Sequence, residues 1–407
     1  MNHAIDTRRL PAHARIIARD DVWMDGEGVE QLGRVAALPG CVRAVGMPDL
    51  HAGPVGAVFA FADRVRPDLL GGDGGCGARV TAALAGRMSL DAIERRVEAA
   101  LDDEPLAACD GRALFDAVWH RGARAFADLE GVPDALAALS AAEPSDPFGP
   151  SGDPGPYRAG FEAQLGTVGG GNHFVEIARV GAVPDPAAAA ELGLAKGGLV
   201  IVAHSGSRGL GYALGQRFGA ELTGDAIAPY LADLAGACRF ARANRFILAY
   251  RMLRALGAAR PSKVAGGFDV THNFVADETV GGAPAWVHRK GAAPARGADP
   301  TIVLGSRGAP SWVLRATDAE EGLRSVAHGA GRRMTRGEAR DKLKARYTRA
   351  ELRRTKLGGR VLCGDADLLY EEHPDAYKPV EPVVASLVEA GLATPVAELV
   401  PALTVKR

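Results

Sequence analysis

Gly198-Leu199-Val200-Ile201-Val202-Ala203-His204-Ser205-Gly206-Ser207-Arg208-Gly209 runs from a short apolar stretch into a histidine and then into a Gly/Ser/Arg turn. A β-branched run bounded by glycine reads as a buried strand. Residues 198–204 therefore predict a strand that delivers His204 at its C-terminal end. The turn beyond it offers two hydroxyls, backbone N–H groups and a guanidinium, which together make a cradle for phosphate. Asp269-Val270-Thr271-His272 and Thr301-Ile302-Val303-Leu304-Gly305 repeat the pattern of a strand ending at a functional-looking turn. Chemistry carried at strand ends points to a mixed α+β fold, with strands presenting ligands and helices packed outside.

Working outward, three more of the ten histidines sit in similar Gly- and Asn-rich settings: Gly171-Asn172-His173-Phe174, His272-Asn273 and Ala327-His328-Gly329-Ala330-Gly331. Asp73-Gly74-Gly75-Cys76-Gly77 adds a carboxylate and a thiol three residues apart. Sulfur, imidazole nitrogen and carboxylate form the donor mixture of a divalent transition-metal site. A thiolate can bridge two cations, whose charge is also what deprotonates it. Taken alone, Asp73 and Cys76 read better as a glycine turn with an inert buried thiol, and His173 alone is equally weak. Glu176, three residues beyond His173, could reach a nucleotide hydroxyl or amide. His328 against Gly-Ala-Gly-Arg is open to three readings: metal ligand, general base, or a nucleophile that accepts a phosphoryl or nucleotidyl group. A plain hydrogen-bonding or capping role is the fourth. No GxxxxGK[ST] motif occurs, so any nucleotide is bound by a device unlike the P-loop.

The 407 residues are 47% hydrophobic and 24% charged, the composition of an ordinary globular enzyme with ample length for a core. A formal net charge of −1 excludes a globally basic nucleic-acid binder. Locally the balance differs: residues 324–360 hold thirteen Lys or Arg against three Asp or Glu. Beside His328 that excess predicts a surface for a phosphate backbone. Five cysteines without a CxxC pair suit a reducing compartment. Met1–Arg9 carry no apolar leader and no apolar run reaches spanning length, so the expectation is a cytoplasmic protein without membrane contact.

Runs at 41–45, 55–62 and 78–84 read as strands, 89–140 as helical with a start at Ser89, and about 225–258 as a helix. Leu231, Leu234, Cys238, Ala241 and Phe246 would form the apolar stripe of that last helix. The Pro/Gly-rich stretch 143–156 has the composition of a linker. Ligand-type residues lie on both sides of it and must converge, so it is expected to be a surface loop within a single catalytic domain spanning 1–407.

In order along the chain, Met47-Pro48-Asp49-Leu50-His51, Asp73-Gly74-Gly75-Cys76, Gly169-Gly170-Gly171-Asn172-His173-Phe174-Val175-Glu176, His204-Ser205-Gly206-Ser207-Arg208, His272-Asn273-Phe274, His288-Arg289-Lys290-Gly291, Gly305-Ser306-Arg307-Gly308, His328-Gly329-Ala330-Gly331-Arg332, Tyr377-Lys378 and Lys406 together resemble the RtcB family of RNA-splicing and RNA-repair ligases. Each piece is weak alone; the joint match covers most of the chain. The resemblance implies a ligase dependent on GTP and two Mn²⁺ ions. It would join an RNA 3′-phosphate or 2′,3′-cyclic phosphate end to a 5′-hydroxyl through a guanylylated histidine and an RNA-3′-pp-G intermediate.

Carried onto this chain, the guanylate acceptor is His328. One ion falls to Asp73, Cys76 and His173, and the other to Cys76, His204 and His272. Nucleotide contacts fall to Asn172, Glu176, Asn273, Gly305, Ser306, Ser311, Gly329, Gly331, Tyr377 and Lys406. RNA phosphates fall to Arg208 and Arg336. Partners implied are the RNA, GTP, and an archease-like activator or a release-factor homologue.

Three departures mark a divergent branch, such as the one coupled to a release-factor homologue: Gly74 stands where the family has an apolar residue, Ala52-Gly53-Pro54-Val55-Gly56 follows His51 where many relatives carry a Lys, and Arg307 stands where a Met is common. Two other classes of function compete. A dinuclear phosphodiesterase or phosphatase acting on RNA ends would need no guanylyl carrier such as His328 and no guanine clamp. A non-catalytic RNA- or ribosome-binding relative would show substitutions among the metal ligands, and the sequence shows none.

Overall fold

The computed structural model describes residues 10–158 and 160–407; the N-terminal stretch Met1–Arg9 lies outside them. Its centre is a largely antiparallel sheet whose strands run in the order Pro300–Val303, Ser311–Ala316, Ala393–Lys406, Phe174–Val180, Leu199–Ser205, Gly77–Ala83 and Val264–Thr271, with Arg360–Cys363 pairing parallel to Ala393–Lys406. A second sheet orders Ala14–Ile16, Cys41–His51, Val55–Phe61, Ala283–Lys290 and Asn273–Val280. The fold is mixed α+β, as the strand-end pattern predicts.

Side chains alternate across each strand, and the central sheet uses both faces. Ile201 and Ala203 pack into a cluster with the long helix Ile227–Ala255, including Phe240, Ile247 and Leu248. Val200 and Val202 point the other way, into a cluster with Val45, Met47, Val58 and Val287 of the second sheet. This double burial explains why the 199–203 run is continuously apolar.

The antiparallel register also fixes where chemistry collects. Gly77 pairs with both Ser205 and Thr271, Phe174 with His204, and Val405 with Val175. The starts of two strands and the ends of three others thus lie at one edge of the central sheet. Cys76, His173, His204, His272 and Lys406 all fall within a residue or two of that edge.

Two local readings need correction. The single helical stretch 89–140 is three helices, Leu90–Asp102, Gly111–Arg121 and Asp134–Ala141. Pro105 and the Gly131-Val132-Pro133 turn interrupt it, because proline cannot continue a helix. Its start is as expected, with the Ser89 hydroxyl accepting from the Ala92 N–H. The 227–255 helix carries no simple stripe: Asp233, Asn244, Arg245 and Arg251 are as buried as Leu234 or Cys238, since the helix runs between the sheet and an outer layer of helices. The 143–156 stretch is the expected surface loop, and it is pinned to the body of the protein. Arg239 of that helix pairs with Asp146 at 2.9 Å and donates to the carbonyls of Phe148 and Gly149, while Trp119 Nε1 donates to Gly152 O at 2.7 Å. Among the described residues no helix is long and apolar enough to cross a membrane.

Candidate metal and nucleotide site

At the sheet edge, five donors from four segments meet around one sulfur. Cys76 Sγ lies 3.5 Å from His173 Nε2 and 3.4 Å from His204 Nε2, and His173 Nε2 lies 2.9 Å from Asp73 Oδ2. The donor atoms form two triads, Asp73/Cys76/His173 and Cys76/His204/His272, each with its atoms within 4.8 Å of one another. His204 Nδ1 points at the Asn172 carbonyl, 3.3 Å away, so that nitrogen donates and Nε2 is left facing the sulfur. Arg245 braces the edge from beneath, donating to Gly75 O at 2.9 Å and Ser205 O at 2.8 Å while its other nitrogens hold Asp269.

The electrostatics fit cations. Burial pushes His204 and His272 well below the usual imidazole range, aided by the neighbouring histidines. Both rings are therefore neutral and able to act as ligands. Burial, then Asp73, pushes the Cys76 thiol well up, so its deprotonation calls for adjacent positive charge. Burial also works to raise Asp73, but His173, the Arg208 N–H and Cys76 hold it down at about 2. One carboxylate, one shared sulfur and three imidazoles make a suitable donor set for two borderline divalent ions. The close approach needs Gly206: a Cβ there would sit 2.1 Å from Asp73 Oδ1.

His328 follows the short strand Ser325–Ala327, its ring centroid 4.6 Å from that of His272. Its Nδ1 lies 2.7 Å from Oδ2 of Asp49, which is fully buried in the strand Cys41–His51. Lys378 holds that strand by donating to Pro48 O and Leu50 O, both at 2.9 Å. Gly331 adopts φ +76°, and a Cβ there would meet Asp49 O at 2.3 Å. Glycine is thus required for the His328 loop to close over Asp49.

A cavity of about 680 Å³ opens over His204 and His328. Asn172, Glu176, Gly305, Ser306, Gly329, Gly331, Tyr377 and Lys406 line it, as does Arg336. Asn273 and Ser311 do not. The Asn273 amide donates to Leu70 O at 3.0 Å and Asp73 O at 2.7 Å, supporting the metal-type turn, and Ser311 Oγ accepts from the Gly305 N–H at 3.0 Å.

Arg208 is also placed differently from its expected role on RNA. It takes φ +53° with ψ −120°, a sparsely populated region that costs a residue with a Cβ roughly 1–3 kcal/mol. Its guanidinium donates to the Gln164 and Thr167 carbonyls and the Thr167 hydroxyl, while its backbone N–H holds Asp73 Oδ1 at 2.9 Å. Arg336, half exposed at the start of the helix Arg336–Lys344, reaches within 3.5 Å of Glu372.

The basic run is less free than its count implies. Arg324, Arg332, Arg340, Lys342, Lys344 and Arg360 are all ion-paired. The excess is concentrated at Arg333, Arg346, Arg349, Arg353, Arg354 and Lys356.

The family model described as tRNA-splicing ligase RtcB matches residues 31–225 and 218–407. The chain belongs to the RtcB family of RNA ligases. It is 38% identical to the RNA-splicing ligase RtcB2 of Escherichia coli over 402 residues, covering 96% of this chain and 94% of that one. The RNA-splicing ligase RtcB of Mycobacterium tuberculosis is 33% identical over 441 residues, covering 91% and 98%. The tRNA-splicing ligase RtcB of Archaeoglobus fulgidus is 30% identical over 467 residues, covering 97% and 94%.

Within this RtcB-type site, sequence reasoning missed Asp49, Glu372, Arg245 and Lys378. Asp49 lies in the Met-Pro-Asp-Leu-His motif, but nothing local shows that it meets a histidine 279 residues away. Glu372 carries no motif signal. It is fully buried among Arg332, Tyr377 and Lys406. Burial works to raise it, yet the Lys406 and Arg332 charges, the Tyr377 hydroxyl and Arg336 hold it down at about 2.

Proposed function

We propose that this ligase is GTP- and Mn²⁺-dependent. It joins RNA 3′-phosphate or 2′,3′-cyclic phosphate ends to 5′-hydroxyl ends through guanylylated His328 and an RNA-3′-pp-G intermediate, in tRNA splicing or RNA repair in the cytoplasm. One catalytic domain over residues 1–407 carries the reaction. The observation that supports it most is the Asp49–His328 pair at 2.7 Å, at the floor of a nucleotide-sized cavity and beside the two donor triads.

A side-chain oxygen of Asp49 accepts, so Nδ1 of His328 donates and Nε2 is the nitrogen free to attack. The strand-bound carboxyl fixes the ring's direction, as an orienting acid does in other histidine-based sites. Asp73, Cys76 and His173 would hold one Mn²⁺ and Cys76, His204 and His272 the other, where the ions would neutralise charge on phosphate oxygens. Glu176, Tyr377 and Lys406 line the cavity and would contact the base and ribose. Asn172, Gly305, Ser306, Gly329 and Gly331 lie along its wall, available to the sugar and phosphates. Arg336 at the mouth is exposed enough to meet an RNA phosphate.

Incubation with α-labelled GTP and Mn²⁺ should leave acid-labile label on the protein, and none on His328→Ala. Label persisting in His328→Ala would refute the assignment. A phosphodiesterase or phosphatase at the same centre would hydrolyse RNA ends with no label at all.

A further inference from the structure

Trp23 is 43% exposed, and it lines the large cavity that opens over His328. So large an apolar ring is ordinarily driven into the interior. Of the other three tryptophans, Trp119 is fully buried, and Trp286 and Trp312 are half-buried. Trp23 belongs to none of the apolar clusters among the described residues. Yet Val22 before it is buried, and Met24 after it packs against the cluster of Leu32 and Phe59.

The ring is held all the same. Lys378 Nζ lies 5.8 Å from its centroid, within range of a cation–π contact. That ammonium is itself fixed on the Pro48 and Leu50 carbonyls. Two residues on, Asp25 caps the helix Gly26–Ala36 by accepting from the Glu27 N–H, and its second oxygen accepts from the Ala52 N–H at 2.8 Å. One side of the indole thus lies over a buried cation, and the exposed side is left to the cavity. A platform fixed in advance costs little ordering when a ligand lands on it.

Charge around the opening is sorted. Arg333 and Arg336 are the exposed cations among the lining residues, whereas Asp25 and Glu27 adjoin Trp23 along the chain. A nucleic-acid strand entering here is drawn with its phosphates towards the arginines and away from the carboxylates, which leaves a base to meet the ring. An aromatic face combined with a basic track is how unpaired strands are held. Glu176 and Lys406, assigned to the guanylate, are 2% and 4% exposed, so that nucleotide belongs to the buried wall and not to Trp23.

We propose that Trp23 stacks on the unpaired base of the nucleotide at an RNA end and so positions that end for joining. The proposal rests on the reading of the buried wall as the guanylate site.

Binding of a short single-stranded RNA, 5′-hydroxyl and 3′-phosphate, to the full chain with Mn²⁺ and GMP tests it without turnover. Two further RNAs lack the base of the 3′-terminal or of the 5′-terminal nucleotide. Wild type should bind one of these roughly ten- to hundredfold more weakly than the intact RNA, the effect of one base–aromatic stack. Trp23→Leu should bind all three alike, at the weaker affinity, and Trp23→Phe should keep part of the difference. Without GMP, intact RNA should quench tryptophan emission in wild type and leave that of Trp23→Phe unchanged. Should Trp23→Leu not fold, wild type and Trp23→Phe carry the test.

A wild type indifferent to both missing bases, or a ratio unchanged in Trp23→Leu, overturns the role of Trp23. Emission quenched by GMP alone, with no further change on adding RNA, makes guanine the occupant and overturns it as well. Labelling of His328 by GTP is scored separately, so the guanylate reading and the Trp23 proposal fail independently.

Discussion

Oδ2 of Asp49 and Nδ1 of His328 stand 2.7 Å apart, brought together from opposite ends of the chain by the packing of one buried strand against one glycine loop. Replacing Asp49 by Asn keeps the shape and removes the acid that orients the ring. Guanylylation of Asp49→Asn should fall by roughly 10²–10⁴-fold, as when an orienting acid is lost from a histidine-based site, with Mn²⁺ binding intact. Rapid-quench labelling with α-labelled GTP measures this. A rate within twofold of wild type would mean that the ring is oriented by something else.

Cys76 belongs to both donor triads, so its loss should act on both ions together. Cys76→Ala is expected to lower bound Mn²⁺ from two equivalents towards none, while His173→Ala should spare the other triad in part. Metal analysis after equilibrium dialysis distinguishes these outcomes. Full stoichiometry in Cys76→Ala would contradict a bridging sulfur.

The two arginines expected on RNA should behave differently. Arg336 is half exposed, and Arg336→Gln should weaken RNA binding and reduce the salt slope by about 0.7–0.9, the effect of one phosphate contact, leaving guanylylation nearly unchanged. Arg208 is tied to the 164–167 segment and to Asp73. Arg208→Met should therefore reduce Mn²⁺ affinity and Tm with little change in salt slope. A salt slope that responds to Arg208 and not to Arg336 would reverse these assignments.

Burial pushes Glu176 up to about 8, with the Thr404 hydroxyl and Lys406 acting against the shift. Between about 4.5 and 8 the folded protein keeps a proton that the unfolded chain releases. This group therefore costs stability progressively as pH rises through that window, and adds nothing below it. Glu176→Gln should raise Tm by a few degrees at pH 8 and leave it unchanged at pH 4, in thermal melts without nucleotide. Equal shifts at both pH values would show that the proton on Glu176 is not the cause.

Much of the candidate site was legible along the chain because its donors occupy strand ends flanked by glycine, and local pattern reports strand ends well. The 199–203 run betrayed its double burial, and Ser89 its capping role. Long-range pairings were not legible. Asn273 and Ser311 sit in motifs that look ligand-facing, yet the Asn273 amide nitrogen and the Ser311 hydroxyl close turns from behind. Arg208 resembles a phosphate reader until its backbone is seen at φ +53° with its guanidinium turned onto carbonyls. The charge count over 324–360 could not show which arginines would find acids contributed by distant segments.

The sequence by itself determined the inventory: one sulfur, one carboxylate and four imidazoles at turns, with β-branched runs to carry them. Tertiary structure decided the sharing of Cys76 between two triads, the pairing of Asp49 with His328, and the placing of Trp23 at the opening of the cavity. The reason is physical. Strand propensity and glycine turns act over a few residues, whereas the distance between side chains hundreds of residues apart is set by strand register and by which faces the core buries.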